Sequence, residues 1–299
     1  MMHPAWVIEG IKNVKRYCMY VRRGFSGLLL CVLLVGCVTN PYTQRSQLLL
    51  TDIGQENRLG AEAYRQVLED PKIRISQDPK EIAPVQRVAR RIIEAAKRSQ
   101  YAALARGFDW EVSVIKDDKT MNAFALPGGK IAVYTGIFPT AKNEAGLAAI
   151  MGHEVVHALA RHGGERMSQG QLAHILLAGA DIALAGGGTS PSTRRATMQA
   201  LGLGAQVGLI LPFNREHESE ADYIGLLLMA QAGYDPREAV RVWERMERAG
   251  RQQPPEFLST HPSHGTRIRK LKSWMPEAFR YYSQSAARGT GSDLPRIRP

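Results

Sequence analysis

The stretch "AIMGHEVVHALARHGGER", residues 149–166, decides how this chain is read. It sets His153 and His157 four positions apart, with Glu154 beside the first. On an α-helix, side chains at i and i+4 stand one above the other, so two imidazoles there can face one cation. Glu154 lies about 100° round the helix from His153, within reach of a proton at that cation without binding it. The spacing predicts a helix from Asn143, a suitable N-cap, to Arg161 or His162, stopped by Gly163-Gly164. A pattern this short also arises by chance, so the rest of the chain must supply a third ligand, a substrate cradle and a compartment.

The chain has 299 residues, 44% of them apolar, and no internal repeat. Its formal charge of +11 is unevenly spread. Residues 1–36 hold five Lys/Arg against one Glu, and residues 265–299 hold eight against two acids. No aromatic-interleaved groove or recognition motif accompanies the basic tail, which argues against a nucleic-acid partner. The tail, residues 276–299, reads as disordered and solvated. Cys18, Cys31 and Cys37 all fall in the first 37 residues, too early for a disulfide framework.

Those cysteines fit an address label better. Arg22-Arg23 precede an apolar run from Phe25 to Val35, shorter than the ~20 residues a bilayer span takes. The run ends in Leu34-Val35-Gly36-Cys37, which resembles a bacterial lipobox. Residues 1–36 are therefore expected to be a signal peptide, with 1–18 an over-extended start, and Cys37 the lipidated residue. A single anchoring helix is the alternative, with the same topology. Residues 37–52 become a lipid-anchored tether on the inner leaflet of an outer membrane, facing a periplasm.

Beyond the tether, apolar residues recur at helical spacing over Gln55–Leu68 and Glu81–Ser99. "WEVSVI" (110–115) alternates as a strand, and "NAFALPGGKIAVYTGI" (122–137) reads as two strands joined through Pro127-Gly128-Gly129. Residues 172–211 are apolar and Gly/Ala-rich, in pieces under 20 residues. They read as packed helices or a lid, with a membrane hairpin as the alternative. "EHESEADYIGLLLMAQAG", the segment from Pro236 to Arg248, and a last segment to Trp274 are helical. No linker divides 53–275, so the expectation is one α+β domain, mostly helical, with a small antiparallel sheet beside the metal-binding helix.

The third ligand is sought downstream. A His six positions after His157 would complete one known pattern, but that position is Gly163. "EHESEAD" instead offers Glu218 and Asp222 on one helical face, Asp222 suited to accept a hydrogen bond from a metal-bound imidazole. Glu216 and Glu220 share another face, and spacing leaves Glu220 open. His162, His174, His217 and His264 have no partner at ligand spacing.

From about Gln44 to Trp274 the chain resembles the M48 metallopeptidases, particularly bacterial periplasmic lipoproteins. The elements that carry this are "NPYTQRSQLLL", "NAFALPGGKIAVYTGI", "GHEVVHALARHGGER", "PFNREHESEAD" and "STHPSHGTRI", in that order. The resemblance implies a zincin-like fold and one Zn2+ on His153, His157 and Glu218, with Asp222 behind. Glu154 would be general base toward a metal-activated water. His261 and Arg267 are implied near the site, to steady an oxyanion; His261 alternatively fills the open metal position and holds the enzyme latent, or caps the last helix. Asn122, Ala123, Phe124 and Ala125 are expected to pair with an extended peptide, or to be a plain hairpin. The implied activity is endopeptidase cleavage of unfolded or misfolded envelope proteins. An outer-membrane assembly chaperone with latent peptidase activity is the alternative.

Overall fold

The first structured element lies where a tether was expected. A computed structural model describes residues 37–205, 211–250, 257, 261 and 266–297. In it β1 (Cys37–Thr39) and β2 (Ser46–Leu48) form an antiparallel hairpin. Its turn is closed by the Asn40 N–H donating to Arg45 O at 2.8 Å, and its Asn40 and Gln47 are buried. The polar residues that suggested a solvated tether are instead spent on buried partners. The expected signal peptide and His264 lie outside the described residues.

The helical spacings downstream become α1 (Ile53–Glu69) and α2 (Pro79–Ala96). Each starts at an aspartate whose carboxylate accepts a backbone N–H, Asp52 from Gln55 and Asp78 from Lys80. A short α3 (Ala102–Gly107) leads to β3 (Glu111–Ile115), β4 (Ala123–Leu126) and β5 (Lys130–Tyr134). The strand order is β3-β5-β4, with β3 parallel and β4 antiparallel to β5. The sheet is thus mixed, where an antiparallel one was expected. The tight turn at Gly128 and Gly129, both at φ above +80°, forces β4 against β5 on one side. β3 must then take the other side, and the link from Ile115 to Ala123 brings it in parallel. This leaves β4 at the sheet edge.

After a 3-10 turn (Thr135–Ile137) and α4 (Phe138–Ala141) comes α5 (Glu144–Leu159), the helix that carries the opening motif. Asn143 caps it by accepting the Gly146 N–H at 2.9 Å. Every residue of α5 except Ala149 is buried, which makes it a core helix with no polar face turned to water. It ends earlier than its glycines suggest. Arg161 turns left-handed at φ 55, and α6 (His162–Gly186) starts at once, running through Gly163-Gly164. α7 (Pro191–Ala205) folds back on α6 with Arg194 paired to Asp181. Ile175, Leu176, Ile182 and Leu201 stay exposed, yet among the described residues no helix is long and apolar enough to cross a membrane.

α8 (Leu211–Gln231) returns to pack along α5, and α9 (Arg237–Gly250) and α10 (Arg267–Gln284) close the bundle. Gly152 and Gly225 face each other where α5 and α8 cross. A Cβ on Gly225 would sit 2.9 Å from the His153 backbone N, so the approach is possible only without one. Residues 276–297 also depart from expectation. α10 runs on to Gln284, and the chain beyond packs against the start of α5. There the N–H groups of Glu144 and Ala145 donate to Ser292 O and Thr290 O at 3.0 and 2.8 Å. Helix-start donors need partners, and this segment supplies them.

Candidate metal centre

The close α5–α8 crossing sets Glu218 and Asp222, one turn apart on α8, against His153 and His157, one turn apart on α5. All four are buried. The Nε2 atoms of His153 and His157 are 3.1 Å apart, and Glu218 brings Oε2 to 3.4 Å from the first and Oε1 to 3.4 Å from the second. Ligand atoms placed tetrahedrally at the usual ~2.0–2.1 Å from zinc are roughly 3.3 Å from one another. The spacing therefore suits one ion.

Proton bookkeeping points the same way. His153 faces Asp222 Oδ1 through Nδ1 at 3.0 Å, so its hydrogen belongs there and its Nε2 is a bare lone pair. The His157 Nδ1 meets His162 Nδ1 at 2.9 Å, which turns its Nε2 inward as well. With both imidazoles neutral, two bare nitrogens and a carboxylate face one point, and a proton on His153 or a cation must stand between them.

Burial works against charging His153, but hydrogen bonds with Asp222 and Glu218 raise it to about 9. Burial pushes His157 well below the usual imidazole range. Glu218 is opposed by burial, yet hydrogen bonds from His153 and His261 hold it far below ordinary carboxylates. Burial raises Glu154, whose carboxylate points toward His261 Nε2 at 3.4 Å and is approached by the backbone of Ala125 in β4.

His261 is the fourth member of the converging group. Its Nδ1 lies 3.2 Å from His153 Nε2 and 3.0 Å from Glu218 Oε1, and the four ligand atoms lie within 4.8 Å of one another. Phe257, stacked on it at 4.7 Å, shapes its seat. Arg267, at the start of α10, reaches the same group. Its guanidinium lies 3.4 Å above the Trp243 ring, with Nη2 2.6 Å from Asp222 Oδ1 and 3.2 Å from Glu218 Oε2. It backs the carboxylate behind His153. Asn122, Ala123, Phe124 and Ala125 lie on or just before edge strand β4, next to Glu154. Glu220, the other carboxylate left open on spacing, faces away from the ion position toward His162 Nε2 at 3.1 Å, and Glu216 lies 3.9 Å from Arg45 Nε. His162 and His217 form a second cluster that sequence spacing missed, because the carboxylate each ring meets, Glu220 for His162 and Glu165 for His217, lies on another helix. His174 is exposed on α6.

The model of peptidase family M48 matches residues 79–275. The chain belongs to that family. Its members are zinc-dependent, and the chain carries a metalloendopeptidase domain whose His153, His157 and Glu218 can hold one ion. It is 39% identical over 244 residues to the mitochondrial metalloendopeptidase OMA1 of Schizosaccharomyces pombe, covering 80% of this chain and 66% of that protein. It is 32% identical over 263 residues to the protein of the same name in Saccharomyces cerevisiae, covering 84% and 73%. The β-barrel assembly-enhancing protease of Escherichia coli is 32% identical over 167 residues, covering 52% of this chain and 32% of that one. These relatives correct the expected subfamily and location. Similarity along most of the chain is to mitochondrial proteins, while the bacterial assembly protease matches only about half. The periplasmic, outer-membrane location is overturned by this, and a lipid on Cys37 finds no support in it.

Proposed function

We propose that the protein is a zinc endopeptidase acting on unfolded or misfolded polypeptide, with His153, His157 and Glu218 as ligands and Glu154 as general base. The observation that carries this reading is the convergence of three ligand atoms at tetrahedral spacing, with a buried carboxylate and a sheet edge beside them. Zinc there supplies a Lewis acid that polarises a peptide carbonyl and acidifies water. Glu154, raised by burial, takes the proton from the attacking water and passes it to the leaving amine. The place of β4 at the end of the sheet order lets a substrate pair in extended form, with Asn122 to Ala125 as the binding strand. Main-chain pairing fixes the scissile bond without demanding a sequence, and only an unfolded segment can offer it. Asp222, backed by Arg267, keeps His153 in the tautomer that binds metal.

The position of His261 favours a second reading, a resting enzyme that binds chains and cuts only when released. Its ring stands in the fourth corner of the ligand group, where a substrate carbonyl must come. Casein digestion separates these readings. Cleavage lost with chelator and with Glu154→Gln supports the peptidase, and His261→Ala raising the wild-type rate supports latency. Casein digestion that persists in Glu154→Gln overturns the general-base assignment.

A further inference from the structure

The two imidazoles that face the ion position are not supported alike. His153 has its carboxylate, Asp222, and an arginine behind it, Arg267. Among the described residues no carboxylate is in contact with His157 Nδ1. It meets a third imidazole, His162 Nδ1, at 2.9 Å. Behind His162 the pattern resumes, since its Nε2 lies 3.1 Å from Glu220 Oε2, and Glu220 receives Arg45 Nη2 at 2.8 Å and the Thr43 hydroxyl. Arg45 also forks onto Glu165 at 2.7 and 2.8 Å, and Glu165 holds His217, whose ring stacks on His162 at 4.3 Å.

Hydrogen counting gives this chain a direction. A carboxylate only accepts, so the hydrogen of a neutral His162 sits on Nε2, toward Glu220. His162 Nδ1 is then a lone pair. The 2.9 Å contact needs one hydrogen, which must come from His157 Nδ1. His157 Nε2 is thereby left bare toward the ion. We infer that His162, Glu220 and Arg45 are positioning residues that set the metal-binding tautomer and ring angle of His157, so that the β1–β2 hairpin completes the zinc site. Arg45 and Thr43 lie outside the family-matched residues 79–275, so the catalytic domain borrows its second support from a segment before it.

This inference rests on the zinc reading and is tested on the full chain by chelator competition for zinc, with melting temperatures of apo and zinc-loaded protein. His162→Phe keeps a flat ring and removes the acceptor. Its zinc affinity is expected to fall about 10–100-fold, as for other ligand-orienting groups. His162→Asn keeps an acceptor oxygen where Nδ1 stands, and is expected to recover most of that loss. Arg45→Met is expected to weaken zinc several-fold in the same direction. In each weakened variant the gap between loaded and apo melting temperatures narrows, which a merely structural role would leave unchanged. His162→Phe within twofold of wild type, or His162→Asn no better than His162→Phe, overturns the inference. If Arg45→Met does not fold, the two His162 variants still decide. Wild-type protein that takes up no zinc overturns the zinc reading itself and the inference with it.

Discussion

Two clusters of histidine and carboxylate lie on either side of His157, built from the same residue types to opposite ends. In the inner one, His153, His157 and Glu218 point three ligand atoms at one spot, with no hydrogen between them while both imidazoles are neutral. In the outer one, every close contact has a donor for its acceptor: Arg45 to Glu165 and Glu220, His217 to Glu165, His162 to Glu220. The difference teaches that histidine and glutamate in proximity do not make a metal site. A missing hydrogen between them does. The outer cluster pairs its carboxylates without an ion, and its place is to hold the inner one in shape.

The sharpest way to break this comparison is at Glu154, which belongs to neither set of ligands. Glu154→Gln is expected to lower peptide cleavage about 10²–10⁴-fold while zinc content stays unchanged. Loss of zinc in that variant would make Glu154 a ligand and redraw the inner cluster. Asp222→Asn probes the support of His153. An expected loss of about 10–100-fold in zinc affinity by chelator competition would match that group to its counterpart behind His157. Unchanged affinity would leave Asp222 as a partner of Arg267 only.

Gly225→Ala tests whether the crossing of α5 and α8 sets the inner distances. The added Cβ meets the His153 backbone at 2.9 Å, so the helices must part. A stability loss of about 1–3 kcal/mol by urea unfolding is expected, together with weaker zinc. Normal stability and affinity would show that the glycine contact is incidental.

Acid probes the outer cluster. Burial pushes Glu165 and Glu220 up, but hydrogen bonds from Arg45 with His217 or His162 outweigh it and hold both below the usual carboxylate range. Depressed folded values mean stability that is present above the unfolded value of about 4.3 and drains away as pH falls through the folded values. Burial also depresses His157 and His162, the latter to about 4. The urea midpoint of apo protein is therefore expected to decline from about pH 6.5, where the unfolded imidazoles take up protons the fold refuses, and to drop further below about 4. Arg45→Met starts lower and falls less steeply. Equal acid limbs would mean that Arg45 does not depress these groups. The smallest effect is expected on α6, where Ile182→Ser, at an exposed position, should stay within about 0.5 kcal/mol of wild type.

The inner cluster was largely legible in the sequence because helices write their faces as spacing. His153 and His157, then Glu218 and Asp222, are each a four-residue step, and the strong periodicity of Val85 to Ile93 placed α2 within a few residues. The outer cluster was not legible. His162 and His217 have no internal period to betray them, and their partner Arg45 is more than a hundred positions away in a stretch that looks like a polar tether. The same cause hid the docking of residues 285–297. A Gly- and Ser-rich segment reads as solvated unless one knows that the first turn of α5 lacks acceptors. The parallel pairing of β3 with β5 was missed because alternation in a strand says nothing about its neighbour's direction. The outer-membrane location was read from the lipobox-like Leu34-Val35-Gly36-Cys37 and from likeness to bacterial lipoproteins, and the mitochondrial relatives, which match over more of the chain, overturn it.

The central claim is tested most directly by metal analysis of the purified full chain, wild type beside Glu218→Ala, each loaded with zinc and passed through a desalting column. One zinc per chain in the wild type and little or none in the variant is the predicted result. Stoichiometric zinc in Glu218→Ala would show that α8 does not supply the third ligand, and the inner cluster would have to be built from other atoms.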